Sequence, residues 1–325
     1  MAGITRHTYL DGWRGISILA VLIGHFFALD SINAGRLGVE MFFVLSGRLM
    51  AEILFIKQAE LSTFLKRRIS RVWPALMVFI IIVSIAFHFT QGSLFVSGKS
   101  AISALTFTYN YAQLWLPRSH VLDHIWSLCI EEHVYLLLAI IAYYCRKTLR
   151  DPIPILFTIS ALLMLNGMVQ TWMLHGSYNE VYWRTDTRGA SIIVSCAIFL
   201  LLNKKNYTAP SWLPVTTIIG GILFSFQEVP DPIKYSLGST LMAIGLCTIK
   251  RLPSPLLNIL ESKPFLSLGL ISFSLYLWQQ PMYKLYENGW NKYLMIASAF
   301  VLSYASYKLI EGPARRFINT TWAKQ

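Results

Sequence analysis

Apolar runs long enough to cross a bilayer alternate with short polar stretches along most of the chain. A span needs about 20 mostly apolar residues. Ten such segments read out, at 15–33, 37–56, 72–90, 126–145, 153–174, 188–202, 213–227, 235–249, 266–287 and 292–311. The pattern predicts an all-α, polytopic membrane protein with about ten transmembrane helices. The run 101–116 is also apolar, but the stretch TYNYAQ interrupts it. It reads as a re-entrant or interfacial helix on the outer side.

Composition agrees with that pattern. The 325 residues are 55% hydrophobic and only 14% charged, too few charges for a soluble domain of this length. Charge then orients the map. One set of loops holds Lys57, Lys66, Arg67, Arg68, Arg71, Arg146, Lys147, Arg150, Lys204, Lys205, Lys250, Arg251 and Lys263, and the chain end adds Arg315, Arg316 and Lys324. The opposite loops hold Arg36, Lys99, Arg118, Arg184 and Lys234, with Lys292 at an edge. Cytoplasmic loops carry the Lys/Arg excess, so both termini are expected in the cytoplasm. The net charge of +12 then follows from this bias and from attraction to anionic membrane lipids. It does not call for a nucleic-acid partner. Cys129, Cys145, Cys196 and Cys247 lie in or beside spans without metal-ligand spacing, and they read as small core residues. No internal repeat, cleavable signal or appended soluble domain is evident. Residues 1–325 therefore read as one membrane domain.

Against this apolar background the polar residues inside spans carry the chemistry, because such groups usually face a cavity or a partner. In YLDGWRGISILAVLIGHFF, Arg14 and His25 are 11 residues apart. That is three helical turns, so they share a face about 16 Å apart along the axis. Arg14 is expected at the cytoplasmic mouth and His25 near mid-membrane, where a neutral imidazole can act as a general base. The second span carries Arg48 with Glu52 four residues on. They form either an internal pair or an arginine aimed at an anionic ligand. Lys66, Arg67, Arg68 and Arg71 precede the third span. They serve topology and lipid contact, or phosphate recognition, for which arginine forks are suited. Pro74 fits the first turn of that span. In DHIWSLCIEEHVYLLL, the residues Ser127, Glu131 and Tyr135 share one face. Glu131 is expected about 8 Å below the outer surface, at a level where a carboxylate can orient His25.

These stretches resemble the acyltransferase-3 family of integral membrane O-acyltransferases. LDGWRGISILAVLIGH, GVEMFFVLSG, RRISRVWP, WSLCIEEHVYL, RTDTRGAS, ISFSLYLWQQP and SYKLIEGPARR are similar to the family's signatures and stand in the same order. The resemblance covers almost the whole length. It implies transfer of an acyl group, commonly acetyl from acetyl-CoA, to a hydroxyl of a surface polysaccharide, lipopolysaccharide, peptidoglycan or small glycoside. It implies functional roles for His25 and Arg14, a basic inner motif at Arg68 and Arg71, and an acidic motif at Glu131. Three positions depart from the pattern: Gln279 where many members have histidine, Arg48 where an aromatic is common, and His133 where glutamine is frequent.

The expected site is therefore catalytic at His25, Arg14 and Glu131. Arg48, Arg67, Arg68 and Arg71 are expected on the donor side, and Tyr135, Arg184, Asp186 and Arg188 on the acceptor side. Acyl-CoA is expected as a co-substrate, with no tightly bound cofactor and no metal. A glycan or lipid-linked sugar is the expected acceptor, and a bacterial plasma (inner) membrane the expected location. Direct transfer and an acyl-histidine route both remain open, as does homo-oligomerisation. A transporter is the main rival, but transporters usually show internal repeats. A non-enzymatic scaffold in polysaccharide assembly is the other.

Overall fold

The computed structural model describes residues 7–27 and 29–322; Lys324, counted above among the inner cations, lies outside them. Helices dominate the described residues, and the one extended feature among them is an isolated bridge between Ile32 and Phe226. The first three helices are α1 (Thr8–Phe26), α2 (Ala34–Met50) and α3 (Leu61–Ala86). Two short helices, α4 (Gly98–Leu105) and α5 (Tyr109–Ala112), lead to α6 (Ile125–Thr148) and α7 (Pro152–Met168). Next come α8 (Tyr178–Tyr182), α9 (Thr185–Arg188), α10 (Ala190–Lys204), α11 (Trp212–Leu223), α12 (Asp231–Ile233) and α13 (Ser239–Cys247). The chain ends with α14 (Ser254–Leu260), α15 (Lys263–Glu287), α16 (Lys292–Ser306) and α17 (Gly312–Trp322). Four π-helical turns, at Ala51–Ile56, Val169–Met173, Lys234–Gly238 and Tyr307–Glu311, lie within this helical framework.

Each of the ten segments predicted from the apolar pattern overlaps helix, although 15–33, 72–90 and 213–227 run past the ends of their helices at Phe26, Ala86 and Leu223. Among the described residues, five helices are long and apolar enough to cross a membrane: Leu61–Ala86, Ile125–Thr148, Pro152–Met173, Thr185–Lys204 and Lys292–Thr321. The bent pair Ser254–Leu260 and Lys263–Glu287 makes a sixth if it is one span. The run 101–116 does not form a continuous helix. It breaks at Phe107, which adopts φ 54°.

Two predicted boundaries shift, for related reasons. α1 begins at Thr8 rather than near 15, and it ends at Phe26. Its polar first turns are sheltered by protein, with Asp11 only 8% exposed. His25 consequently sits in the last turn of α1, not at mid-span. α3 begins at Leu61, so the basic cluster belongs to the helix itself. Pro74 then lies deep inside α3 rather than in its first turn, where it removes a hydrogen bond to the Ser70 carbonyl.

The chain divides into two compact units. One comprises residues 1–52, 151–168 and 190–272. Its core joins Tyr9, Trp13, Val44, Ile198, Met242 and Leu260, and the Trp13 indole donates to the Met41 carbonyl at 2.9 Å. The other comprises 53–150, 169–189 and 273–325. There Phe79 meets Trp278 and His124 edge-on, at 5.3 and 5.5 Å between ring centres. The Tyr276 hydroxyl donates to the His124 carbonyl at 2.9 Å, which ties α15 to the start of α6.

Candidate active site

In the first unit the site is built on α1. Arg14 and His25 lie on this one helix, as their spacing predicts. Arg14 is held by Asp11, whose carboxylate accepts from Nη1 at 2.7 Å. Asp11 is in turn fixed by backbone contact: a Cβ added to Gly269 would stand 2.0 Å from the Asp11 carbonyl oxygen. His25 is positioned by an equally close crossing. A Cβ on Gly24 would stand 2.0 Å from the Gly35 nitrogen, so α1 and α2 touch main chain to main chain there. The half-buried imidazole lies along the first turn of α2, with Cδ2 and Nε2 3.7 Å from where a Gly35 Cβ would be. Asn33 caps that turn, accepting from the Arg36 amide at 3.0 Å. The positive end of the α2 dipole is thus beside His25. Arg48, 4% exposed, pairs with Glu52 at 2.5 Å and lies over the Phe199 ring at 4.3 Å. This is the internal pair that its spacing allows.

In the second unit Arg68 is the centre. Its Nε donates to Glu132 at 2.8 Å and its Nη2 to Glu131 at 3.4 Å. Its guanidinium lies over the Tyr135 ring at 4.0 Å, and the Tyr135 hydroxyl donates to Glu131 at 2.8 Å. Arg67, one residue earlier, is exposed, and Arg71 is half-buried on the same helix as Arg68. Glu311, which closes the π turn before α17, accepts from Ser274 at 2.8 Å.

The RTDTR stretch forms α9 and its flank. Arg184 grips Asp186 with two hydrogen bonds, at 2.8 and 2.6 Å, and this pairing raises the Arg184 pKa above its ordinary value. Arg188, 2% exposed, lies over Tyr182 at 4.9 Å. Thr185 anchors the segment. Its hydroxyl meets His133 Nδ1 at 2.8 Å and accepts from Asn110 at 3.1 Å, while its amide donates to the Tyr111 hydroxyl at 3.1 Å. Nearby Arg118 holds Asp123 through two hydrogen bonds, at 2.9 and 2.7 Å. Burial pulls the Arg118 pKa down, but the Asp123 hydrogen bond and charge outweigh it and raise it.

The structure therefore brings together residues that the charge map set apart. Arg68, expected at the inner mouth, and Glu131 and Tyr135, expected on the outer half, form one cluster. Arg68 is not an exposed cation, since its side chain is 14% exposed. Sequence reasoning missed Glu132 as the nearer carboxylate partner of Arg68. It also missed Asn110 and Thr185 as anchors. The polar interruption TYNYAQ was the available signal for Asn110.

Residues 7–307 match the family model described as an acyltransferase domain. The chain belongs to the acyltransferase-3 family. It is 28% identical over 350 residues to the peptidoglycan O-acetyltransferase OatA of Listeria monocytogenes, an alignment covering 95% of this chain and 56% of that protein. It is 28% identical over 347 residues to the O-acetyltransferase OatA of Staphylococcus aureus, covering 94% of this chain and 57% of that protein. The chain thus spans little more than half the length of these relatives. No solved structure matches it.

Proposed function

We propose that this acyltransferase-family chain is a membrane-embedded O-acetyltransferase that moves acetyl from cytoplasmic acetyl-CoA to a hydroxyl of a glycan. The observation that carries the reading is the pairing on α1 of a carboxylate-fixed Arg14 with His25, three turns apart. The whole chain, 1–325, works as one acyltransferase with ten spans and cytoplasmic termini in a bacterial plasma membrane. The charge distribution of the loops supports that topology.

In this scheme Arg67 and Arg71 receive phosphates of the donor, Arg68 holds the Glu131–Glu132–Tyr135 cluster in shape, and Arg14 shares the polar face of α1 with His25. His25 takes the proton of the acceptor hydroxyl. The hydroxyl oxygen attacks the thioester carbonyl, the carbon–sulfur bond breaks, and the proton passes from the imidazolium to the leaving CoA sulfur. The N-terminus of α2 beside His25 stabilises the negative charge that develops on the carbonyl oxygen. The name of the Listeria relative points to peptidoglycan as the acceptor, and exopolysaccharide or lipopolysaccharide O-antigen fits the same chemistry. The test is reconstitution of the chain in proteoliposomes with radiolabelled acetyl-CoA inside and glycan outside. Label is expected in the glycan as a base-labile ester. Donor consumption with no esterified glycan, across all three acceptor types, would overturn the reading.

A further inference from the structure

Helix α17 carries a basic face that the acyl-transfer scheme leaves unused. Within the second unit α17 packs against α3, and the Ser70 hydroxyl donates to Asn319 Oδ1 at 3.0 Å. Helical period places four arginines around that contact. On α3, Arg67, Ser70 and Arg71 stand at positions i, i+3 and i+4, so they share one face. On α17, Arg315 lies one turn before Asn319, on the same face, with Arg316 beside it. Arg67, Arg315 and Arg316 are exposed, and Arg71 is half-buried.

Acidic counterparts are scarce there. Neither α3 nor α17 contains an aspartate or glutamate. Glu311, 6% exposed, closes the π turn before α17, and the charges of Arg71 and Arg315 both act on it. One carboxylate balances one of those two arginines. Arg68 adds nothing to the face, because Glu131 and Glu132 engage it. A surplus of positive charge remains between the two helices, and like charges held this close repel unless an anion joins them. The helix Lys292–Thr321, of which α17 forms the end, runs 30 residues. At 1.5 Å per residue that is about 45 Å, against a hydrocarbon core of about 30 Å. Its length lets the basic end stand in the polar layer, where a soluble anion reaches it.

We infer that Arg315 and Arg316 bind phosphate groups of the acyl donor, facing Arg67 and Arg71 across the Ser70–Asn319 contact. This role rests on the acetyl-CoA donor proposed above and extends its binding site to a second helix. Coenzyme A carries a pyrophosphate and a 3′-phosphate on either side of one ribose, so its charge is spread over two separate groups. Two arginine pairs on two packed helices suit that spread, and guanidinium forks match phosphate oxygens.

The test measures equilibrium binding of coenzyme A to the full chain in phosphatidylcholine nanodiscs, with acetyl-transfer kinetics on the same samples. Arg315→Gln and Arg316→Gln remove the charge and keep helix propensity. Both side chains are exposed, so the unfolding temperature should match the parent. Each variant is expected to weaken coenzyme A binding at least about tenfold. Each should raise the donor KM by a similar factor and leave kcat and the acceptor KM unmoved. Equal binding by the parent and both variants overturns the role of α17 and leaves the acetyl-CoA reading intact. A parent that binds no coenzyme A overturns both. Anionic lipid headgroups offer the same phosphate chemistry, so the measurement is repeated with phosphatidylglycerol in the nanodisc. A difference between parent and variants that appears only with phosphatidylglycerol assigns the face to lipid and overturns the donor role.

Discussion

Arg68 on α3 and Glu132 on α6 face each other at 2.8 Å, with Glu131 and the Tyr135 ring completing the enclosure. Two acids side by side in an apolar helix would repel each other and face a large desolvation penalty. One arginine fork answers both. The pair also fixes the register of α3 against α6, since a guanidinium aligned on two carboxylates tolerates little sliding.

Removing Arg68 should therefore damage the fold before it damages donor binding. Arg68→Ala leaves two half-buried carboxylates without their shared cation, which should cost on the order of 1–3 kcal/mol, below the figure for a fully buried pair. Arg67→Ala, on the exposed face, should stay within about 0.5 kcal/mol. Arg71→Ala should raise the donor KM roughly tenfold to a hundredfold, the loss expected for one charge-assisted phosphate contact. Thermal unfolding in detergent, with acetyl-CoA kinetics on the same samples, checks all three. Equal stability of the Arg67 and Arg68 variants would contradict the enclosure.

His25→Ala should abolish transfer while leaving the chain folded. The imidazole is half-buried at the end of α1, so truncation empties little core. General bases contribute about 10²–10⁴-fold, and activity above about a tenth of the parent would remove His25 from that role.

Gly24→Ala should move the imidazole without altering it chemically. The added Cβ would fall 2.0 Å from the Gly35 nitrogen, so α1 and α2 must separate. Since a misplacement of about 1 Å can cost 10²-fold in rate, kcat should fall far more than stability alone accounts for. Parent-like kcat with a lowered unfolding temperature would mean that the crossing serves packing only.

Much of this architecture was legible in the chain because membrane helices announce themselves by apolar length, and because Arg14 and His25 are related within a single helix by period alone. The internal pairs Arg48–Glu52 and Glu131–Tyr135 were legible for the same reason. What period could not show was depth. Buried polar turns such as Asp11–Arg14 extend a helix beyond its apolar core, so α1 and α3 began earlier than hydropathy indicated. Nor could it show which elements meet. The Arg68–Glu132 pair joins residues 64 apart, and the Asn110–Thr185 anchor joins residues 75 apart.

Stability should fall on mild acidification partly through His120, in the connection before α6. Burial lowers its pKa below the ordinary value, so the folded protein favours the neutral ring. Unfolding restores the ordinary value of about 6.5. The unfolded state then binds more protons as the pH drops through that value, and the contribution present at neutral pH is lost between about 6.5 and the lower folded pKa. His120→Gln should show a smaller drop in unfolding temperature between pH 7.5 and 5.5 than the parent. An identical drop would place the acid sensitivity on another histidine.

Topology offers the most direct check on the ten-span proposal. Among the described residues five helices are long and apolar enough to cross, or six with the bent pair, so the remaining spans rest on the apolar pattern and the charge of their flanking loops. Single cysteines at Glu60, Thr148, Gly98 and Asn179 sample four connections, in a background with Cys129, Cys145, Cys196 and Cys247 replaced by serine or alanine. Positions 60 and 148 should react only after the inner face is exposed, and 98 and 179 from outside in intact cells. The pairs are separated by α3 and by α7 with its π turn, both of which meet the span criterion. Labelling of Glu60→Cys and Gly98→Cys from the same side would make α3 a re-entrant element. If that side were the outer one, Arg67 and Arg71 would lie away from a cytoplasmic donor, and their proposed phosphate contacts would fall.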